Sequence, residues 1–383
     1  MKYLKIEIQG KELEVNALNR NELSADLIQQ WDDLETRSME GNAYLSPHFI
    51  LPAIKYLTPN TEAIFIFVTH IVGNTRILAG MGVFEYVHGS KQFPLPHLRA
   101  YRCPHSYLSG LLVDEAFADV TLIAFFTFFS KVKRLCCGVE FMKRNGDTGL
   151  SNKIESIASQ LSFPWYQYKS QKRAILIPSK MRNDNLGEIL SGNMKKNVKR
   201  GWNSLLKMGE VRWNVMKGTS IDKECIERFL NLEHMGWKGA NGSSLLSTAE
   251  EANFFREMMT GFAQNERAIF AELTLNNRAI SSTSNLISAR SGYAFKVGWD
   301  PEFSAVSPGI LNEVELIKNA AEIFPNIEYI DSGAEDGSYL QKLWVDSYSI
   351  VSGIFVTNQS AKYVAEFFKY ARNMKRRFSK SEA

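Results

Sequence analysis

Ser291–Gly333 reads SGYAFKVGWDPEFSAVSPGILNEVELIKNAAEIFPNIEYIDSG, and this stretch decides the fold. Tyr293, Phe295, Val297 and Trp299 alternate with Ala294, Lys296 and Gly298, the period of two expected of a strand with one packed face. Asp300-Pro301 stops that strand, because proline donates no ladder hydrogen bond and restrains the residue before it. Ser307-Pro308 then predicts a helix start, serine being a favoured N-cap and proline a favoured first helical residue. Ile310, Val314, Ile317 and Ala321 recur at helical spacing, and Pro325 ends the run. Ile327–Ile330 is a short apolar strand closing on Asp331-Ser332-Gly333.

Strand, helix and strand at this length make a crossover, so the two strands should be parallel neighbours. The helix start, the end of the first strand and Asp331 then share one edge of the sheet. Open α/β sheets bind ligands at that edge, and free N–H groups at a helix start favour a phosphate. On these local features alone, a serine-capped crossover helix with no ligand fits equally well.

The rest of the chain bounds the answer. At 383 residues it is long for one core, which favours two domains. Its 45% hydrophobic and 22% charged residues are ordinary for a water-soluble fold, and a net charge of +4 is too small to imply a nucleic-acid partner. Four cysteines without a C-x-x-C pair give neither a disulfide framework nor a metal-ligand spacing, and point to a reducing cytoplasm. MKYLKIEIQGKELEV alternates like a strand rather than a signal peptide. The most apolar run, Ala116–Ser130, is too short to span a bilayer and reads as a buried helix, so no transmembrane segment is expected.

In the first half, strand and helix signals alternate without a nucleotide fingerprint, and Pro94, Pro96 and Pro104 break a segment carrying His97, Arg99, Arg102 and His105 that reads as surface, with a cleft lining as the alternative. Trp165–Tyr168 and Ala174–Ile177 read as separate strands. The polar junction Asn183–Glu188 is the expected boundary between domains 1–182 and 183–383. A helix follows in which Lys195 with Lys199, and Lys196 with Arg200, form like-charge pairs four apart, either a solvated face or a seat for an anion. Asp222–His234 reads as a helix leading into the loop Gly236-Trp237-Lys238-Gly239, whose glycines allow close approach to a ligand. Arg267–Leu275, Arg278–Ile287 and Tyr293–Trp299 form an antiparallel meander. Val364, Phe367, Phe368, Ala371 and Met374 should pack a last helix onto its domain, its basic tip being solvated or resting peripherally on a membrane.

The chain resembles the CelD/BcsL-like acetyltransferases of the GNAT superfamily, relatives of the FemABX-type tandem-GNAT transferases. The resemblance rests on Gly236-Trp237-Lys238-Gly239, Lys296, Trp299-Asp300, Ser307-Pro308-Gly309, Asp331-Ser332, Leu343-Trp344, the basic segment Lys195–Arg200, and Pro104-His105-Ser106-Tyr107-Leu108, in that family's order over about 240 residues. It implies an α/β (α+β) fold of tandem GNAT-like domains, with mixed twisted sheets flanked by helices and a degenerate first repeat. No internal repeat is visible in the residues themselves.

The resemblance further implies acetyl-CoA as co-substrate, held by Ser307, Pro308, Gly309, Ile310 and Trp299, with no metal. The acceptor would be a small molecule or saccharide, such as an amino-sugar or envelope-polysaccharide precursor, met by Trp237, Lys238, Lys296 and Ser332. Asp331 is the candidate catalytic carboxylate, ahead of Asp300, Glu272 and Tyr339, since a general base must reach the proton it removes. Lys296, between two small residues, should enter an open cleft with Lys238. The departure is the loop Ala305-Val306-Ser307-Pro308-Gly309, where proline removes one N–H from the phosphate nest. An aminoacyl-transferring relative and a non-catalytic GNAT-fold binding protein therefore remain as alternatives.

Overall fold

The computed structural model describes residues 2–131, 136–181 and 190–381, with backbone alone for Trp237 and 371–381. The strands of the first half are β1 (Tyr3–Ile8), β2 (Lys11–Leu18), β3 (Ile64–Val72), β4 (Thr75–Val87), β5 (His97–Ala100), β6 (Leu112–Val113), β7 (Gly138–Asn145) and β8 (Trp165–Leu176). Those of the second are β9 (Val211–Lys217), β10 (Ala268–Leu275), β11 (Arg278–Ser288), β12 (Ser291–Trp299), β13 (Tyr329–Asp331) and β14 (Asp346–Val356). The principal helices are α1 (Ala25–Thr36), α2 (Ala118–Lys131), α3 (Gly149–Gln160), α4 (Gly192–Met208), α5 (Lys223–Met235), α6 (Ala249–Gln264), α7 (Pro308–Lys318) and α8 (Gln359–Ser381).

Two compact units account for the chain. The first comprises Met1–Pro47, Asn60–Gln171 and Ser349–Ala383; the second comprises His48–Pro59 and Lys172–Tyr348. The expected junction at Asn183–Glu188 lies outside the described residues.

In the first unit, β1 to β5 follow one another antiparallel, and β5 then pairs parallel with β7 through Leu98↔Val139 and Arg99↔Glu140. The apolar run supplies the crossover as α2, whose Phe125, Phe126, Phe128 and Phe129 fill the core. His97 and His105, expected at the surface, are buried. The His97 ring lies 3.3 Å from Glu140, which also accepts from the Tyr168 hydroxyl at 2.8 Å. These bonds hold the Glu140 carboxyl below its ordinary range although burial pushes it the other way. The two strands expected at Trp165–Tyr168 and Ala174–Ile177 are one, β8. The polar run Lys169–Lys172 reads as a loop, yet a strand face open to water carries such residues freely.

The second unit repeats this plan. β10, β11 and β12 form the expected meander, β9 pairs antiparallel with β10 beside it, and β12 crosses through α7 to the parallel β13, beside which lie residues 172–176 of β8. One sheet face packs α4 and α7 through Leu205, Leu311, Val314 and Ile317. The other packs α5 and α6, where Phe229 stacks on Phe255 with centroids 5.1 Å apart. Each unit is thus a mixed sheet flanked by helices.

Gly298 lets α5 come down onto β12, since a Cβ there would sit 2.5 Å from the Glu233 backbone nitrogen. Backbone cannot yield as a side-chain tip does. Gly298→Ala is therefore expected to destabilise the protein by about 1–3 kcal/mol, read as a lower urea midpoint at unchanged slope.

Candidate functional site

β12 and β13 leave the crossover together and soon part. They pair from Ser291↔Tyr329 to Tyr293↔Asp331, after which β12 continues to Trp299 with β11 alone. β13 stops because its last carboxylate bends the chain, Asp331 Oδ1 accepting the Gly333 N–H at 2.6 Å. The backbone of Ala294–Trp299 thus has β11 on one side and no β13 partner on the other.

A bulge in β12 decides which side chain faces which way. Ser284 pairs with Lys296 and Asn285 with Ala294, so Phe295 is the extra residue. Phe295 and Lys296 therefore both face α5 and α6, where Phe295 stacks on Phe255. Val297 and Trp299 face α7, on which Gly309 lies over them, its would-be Cβ 3.5 Å from Trp299. The period-two reading had placed Phe295 with Val297 and Trp299; the bulge corrects it.

On the α7 side, the helix start differs from the expected cap. Ser307 has a left-handed φ of +54° and its side chain makes no capping bond. The reason is that it also closes the turn Pro301–Val306, its N–H donating to Ser304 O at 3.1 Å. The Ile310 N–H is spent on Ser307 O at 3.0 Å and Pro308 has none, which leaves Gly309 as the amide of this turn open to a ligand. Beside it packs α4, whose Gly201 approaches the Val306 carbonyl and whose Lys195, Lys196, Lys199 and Arg200 are exposed.

The opposite side carries four charges. Lys238 Nζ lies 3.1 Å from Glu233 Oε1 and donates at 3.1 Å to Val297 O, the carbonyl that β12 turns away from β11. In an antiparallel ladder both backbone groups of one residue point the same way, so the Val297 N–H also faces the side β13 has left. Burial, with Lys296 nearby, pulls the Lys238 ammonium below its ordinary value against the pull of Glu233. Burial raises the Glu251 carboxyl, Glu233 adding to the effect and Lys296 opposing it. Lys238 and Lys296 thus come together around two carboxylates. Lys296 is half-buried, however, and lies on the sheet face away from the α7 start. Gly239, read as freedom to approach a ligand, instead lies against the His234 carbonyl within a short helical turn, Trp237–Ala240. The Trp237 side chain lies outside the described residues.

Asp331 is where the reading changes most. Its carboxylate, expected to emerge at the sheet edge, is 0% exposed. Arg173 Nη1 donates to it at 3.1 Å and the Tyr348 hydroxyl donates as well. The pairing Asp331↔Ile175 brings Arg173 from 158 residues away, which no local pattern announces. Ser332 is likewise buried, its hydroxyl accepting the Ala334 N–H at 3.3 Å. Asp300 and Glu272 are buried in ion pairs with Arg278 and Arg228. Glu233 and Glu251 were not singled out from sequence, because one reads as a helix end and the other as part of the Thr248 cap. In the first unit, a cavity of about 20 Å³ among Glu40, Asn42, Ser109, Arg144 and Asn145 is of water size.

Residues 192–339, all within the second unit, match the family model of the acetyltransferase (GNAT) domain. Among solved structures the chain is similar to FemX, at 12% identity and a TM-score of 0.57, over 92% of this chain and 100% of that one. It is also similar to the C-terminal domain of a putative lysylphosphatidylglycerol synthetase from Agrobacterium fabrum, at 8% identity and a TM-score of 0.51, over 90% and 95%. A protein of unknown function from Bacteroides thetaiotaomicron matches at 11% identity and a TM-score of 0.50, over 87% and 98%. These likenesses show the fold, with both units included. No curated protein matches the chain.

Two outcomes test the packing of this region. Asp331→Asn removes the charge paired with the buried Arg173 guanidinium, so chemical denaturation should show a loss of about 3–5 kcal/mol. Glu313, buried on α7 and accepting from the Trp344 indole at 2.9 Å, is pushed by burial from 4.5 to about 7. Its carboxyl keeps a proton in the fold that the unfolded chain releases above pH 4.5, so its contribution is complete in acid and is lost as pH rises through 7. Urea unfolding of Glu313→Gln should show a flatter loss from pH 5 to 8, with up to about 3 kcal/mol more stability than wild type at pH 8.

Proposed function

We propose that the chain is a cytoplasmic acyl-CoA-dependent acyltransferase that moves an acetyl group to the amine, or hydroxyl, of a small-molecule or saccharide acceptor. An amino-sugar or envelope-polysaccharide precursor is the acceptor class, in keeping with the CelD/BcsL-like resemblance. The observation that carries this reading is the parting of β12 from β13 within the segment that matches the GNAT domain. Along it lie the Gly309 amide and Trp299 on one face, and Lys238, Lys296, Glu233 and Glu251 on the other.

In this reading the donor, which supplies an activated thioester, is held at Gly309 with help from the exposed cations of α4. The Val297 N–H polarises the acyl carbonyl. Glu251, whose raised affinity for protons suits a base, takes the proton of the attacking acceptor, and Lys238 and Lys296 orient it. The acceptor forms its bond to the acyl carbon in a ternary complex as the carbon–sulfur bond breaks and the thiol leaves with a proton. Asp331 has the lesser part of fixing where the strands separate.

A second reading, aminoacyl transfer or non-catalytic binding, draws support from the depleted amide nest, with Pro308 and Ile310 both unable to donate outward. Acetyl-CoA titration separates the two. At one hundred times its dissociation constant a ligand stabilises by about 2.7 kcal/mol, so thermal unfolding should rise with acetyl-CoA. In folded Gly309→Val the rise should need at least roughly tenfold more ligand. No rise in wild type overturns the acetyl-CoA reading, and an unchanged rise in Gly309→Val moves the donor elsewhere.

A further inference from the structure

The terminal helix α8 carries an aromatic face that its own packing does not use. Ala361 and Ala365, one turn apart, pack against Phe93, Tyr166, Ile354 and Val356. Tyr166 fixes the same turns by donating to Glu366 at 3.3 Å. Phe367, expected on the inner face, is 66% exposed, and Tyr363 and Tyr370 are 66% and 65% exposed. Their spacing of four and three aligns the rings on one side of the helix, well away from the alanines. In sequence the same spacing continues at Met374 and Phe378.

Charge separates this helix from the rest of the chain. Lys362, Lys369, Arg372, Lys375, Arg376, Arg377 and Lys380 stand against a single acidic residue, Glu366. That excess is larger than the formal charge of +4 of the whole chain, so the remainder is slightly acidic.

We propose that α8 docks on an anionic lipid bilayer, laying Tyr363, Phe367 and Tyr370 into the headgroup boundary while its cations meet lipid phosphates. Aromatic rings with an apolar body suit that boundary, and basic residues near the surface are drawn to acidic lipids. A second copy of the chain is a poor occupant, because it would set a second helix with the same excess of cations against the first. A nucleic acid would answer the charge, but a ridge of rings along one helix side fits an apolar layer better. The proposal rests on α8 alone and stands whether or not the second unit binds acetyl-CoA.

Vesicle flotation of the full chain tests it, with phosphatidylcholine vesicles containing about one third phosphatidylglycerol compared with phosphatidylcholine alone. Binding should favour the acidic vesicles by at least roughly tenfold and weaken at about 0.5 M salt. The combined Tyr363→Ser, Phe367→Ser, Tyr370→Ser variant should keep its urea midpoint, since these side chains are exposed, and bind acidic vesicles at least roughly tenfold more weakly. Equal binding to both vesicles overturns the proposal, as does undiminished binding by the folded variant. So does capture of an RNA oligonucleotide without vesicle binding, or a dimer that the variant abolishes. A variant that unfolds is replaced by Tyr370→Ser alone, for which undiminished binding by the folded protein overturns the proposal.

Discussion

A single buried carboxylate sets where two strands cease to run together. Asp331 gathers Arg173 from β8, the Tyr348 hydroxyl from the start of β14, and the N–H of Gly333. Burying an ion pair gains little net stability, yet removing one partner is costly. The arrangement is therefore a geometric constraint more than a source of free energy. It ends β13 at its third residue, while β12, bound to β11, runs on. The exposed backbone at Val297, the lysine that reaches it and the helix start above Trp299 all depend on that early ending.

The two units show how one plan supports different surroundings for its polar groups. Both have an antiparallel meander leading through a helix to a parallel strand. In the first unit the crossover helix is apolar almost all round and the buried polar groups, His97, Glu140 and Tyr168, satisfy one another. In the second the helix begins beside Trp299 with an open amide, and charges gather across the sheet from it. Burial makes that gathering matter. It weakens the hold of Lys238 on its proton and strengthens that of Glu251.

The crossover was legible because proline, serine and the shift from a period of two to helical spacing mark its ends locally. The buried α2 and the meander were legible for the same reason. The site was less so. Lys238 and Lys296 stood out through small neighbours, but their carboxylate partners sit in helices that read as ordinary caps and ends. Asp331 was found by position and misjudged in environment, because Arg173 reaches it through strand pairing that no local pattern reveals. The left-handed Ser307 was missed because two helical segments share that one residue as end and beginning.

The bulge at Phe295 has an evolutionary side. Two successive side chains, Phe295 and Lys296, lie on the same face because one residue is extra to the ladder. Loss of a single codon there would restore strict alternation, keeping Val297 and Trp299 under α7 while a lone residue remained to meet α5 and α6. The face under α7 and the face carrying the lysines are therefore separable by one insertion or deletion. A lineage carrying this bulge can change the lysine side without disturbing the turn at Gly309.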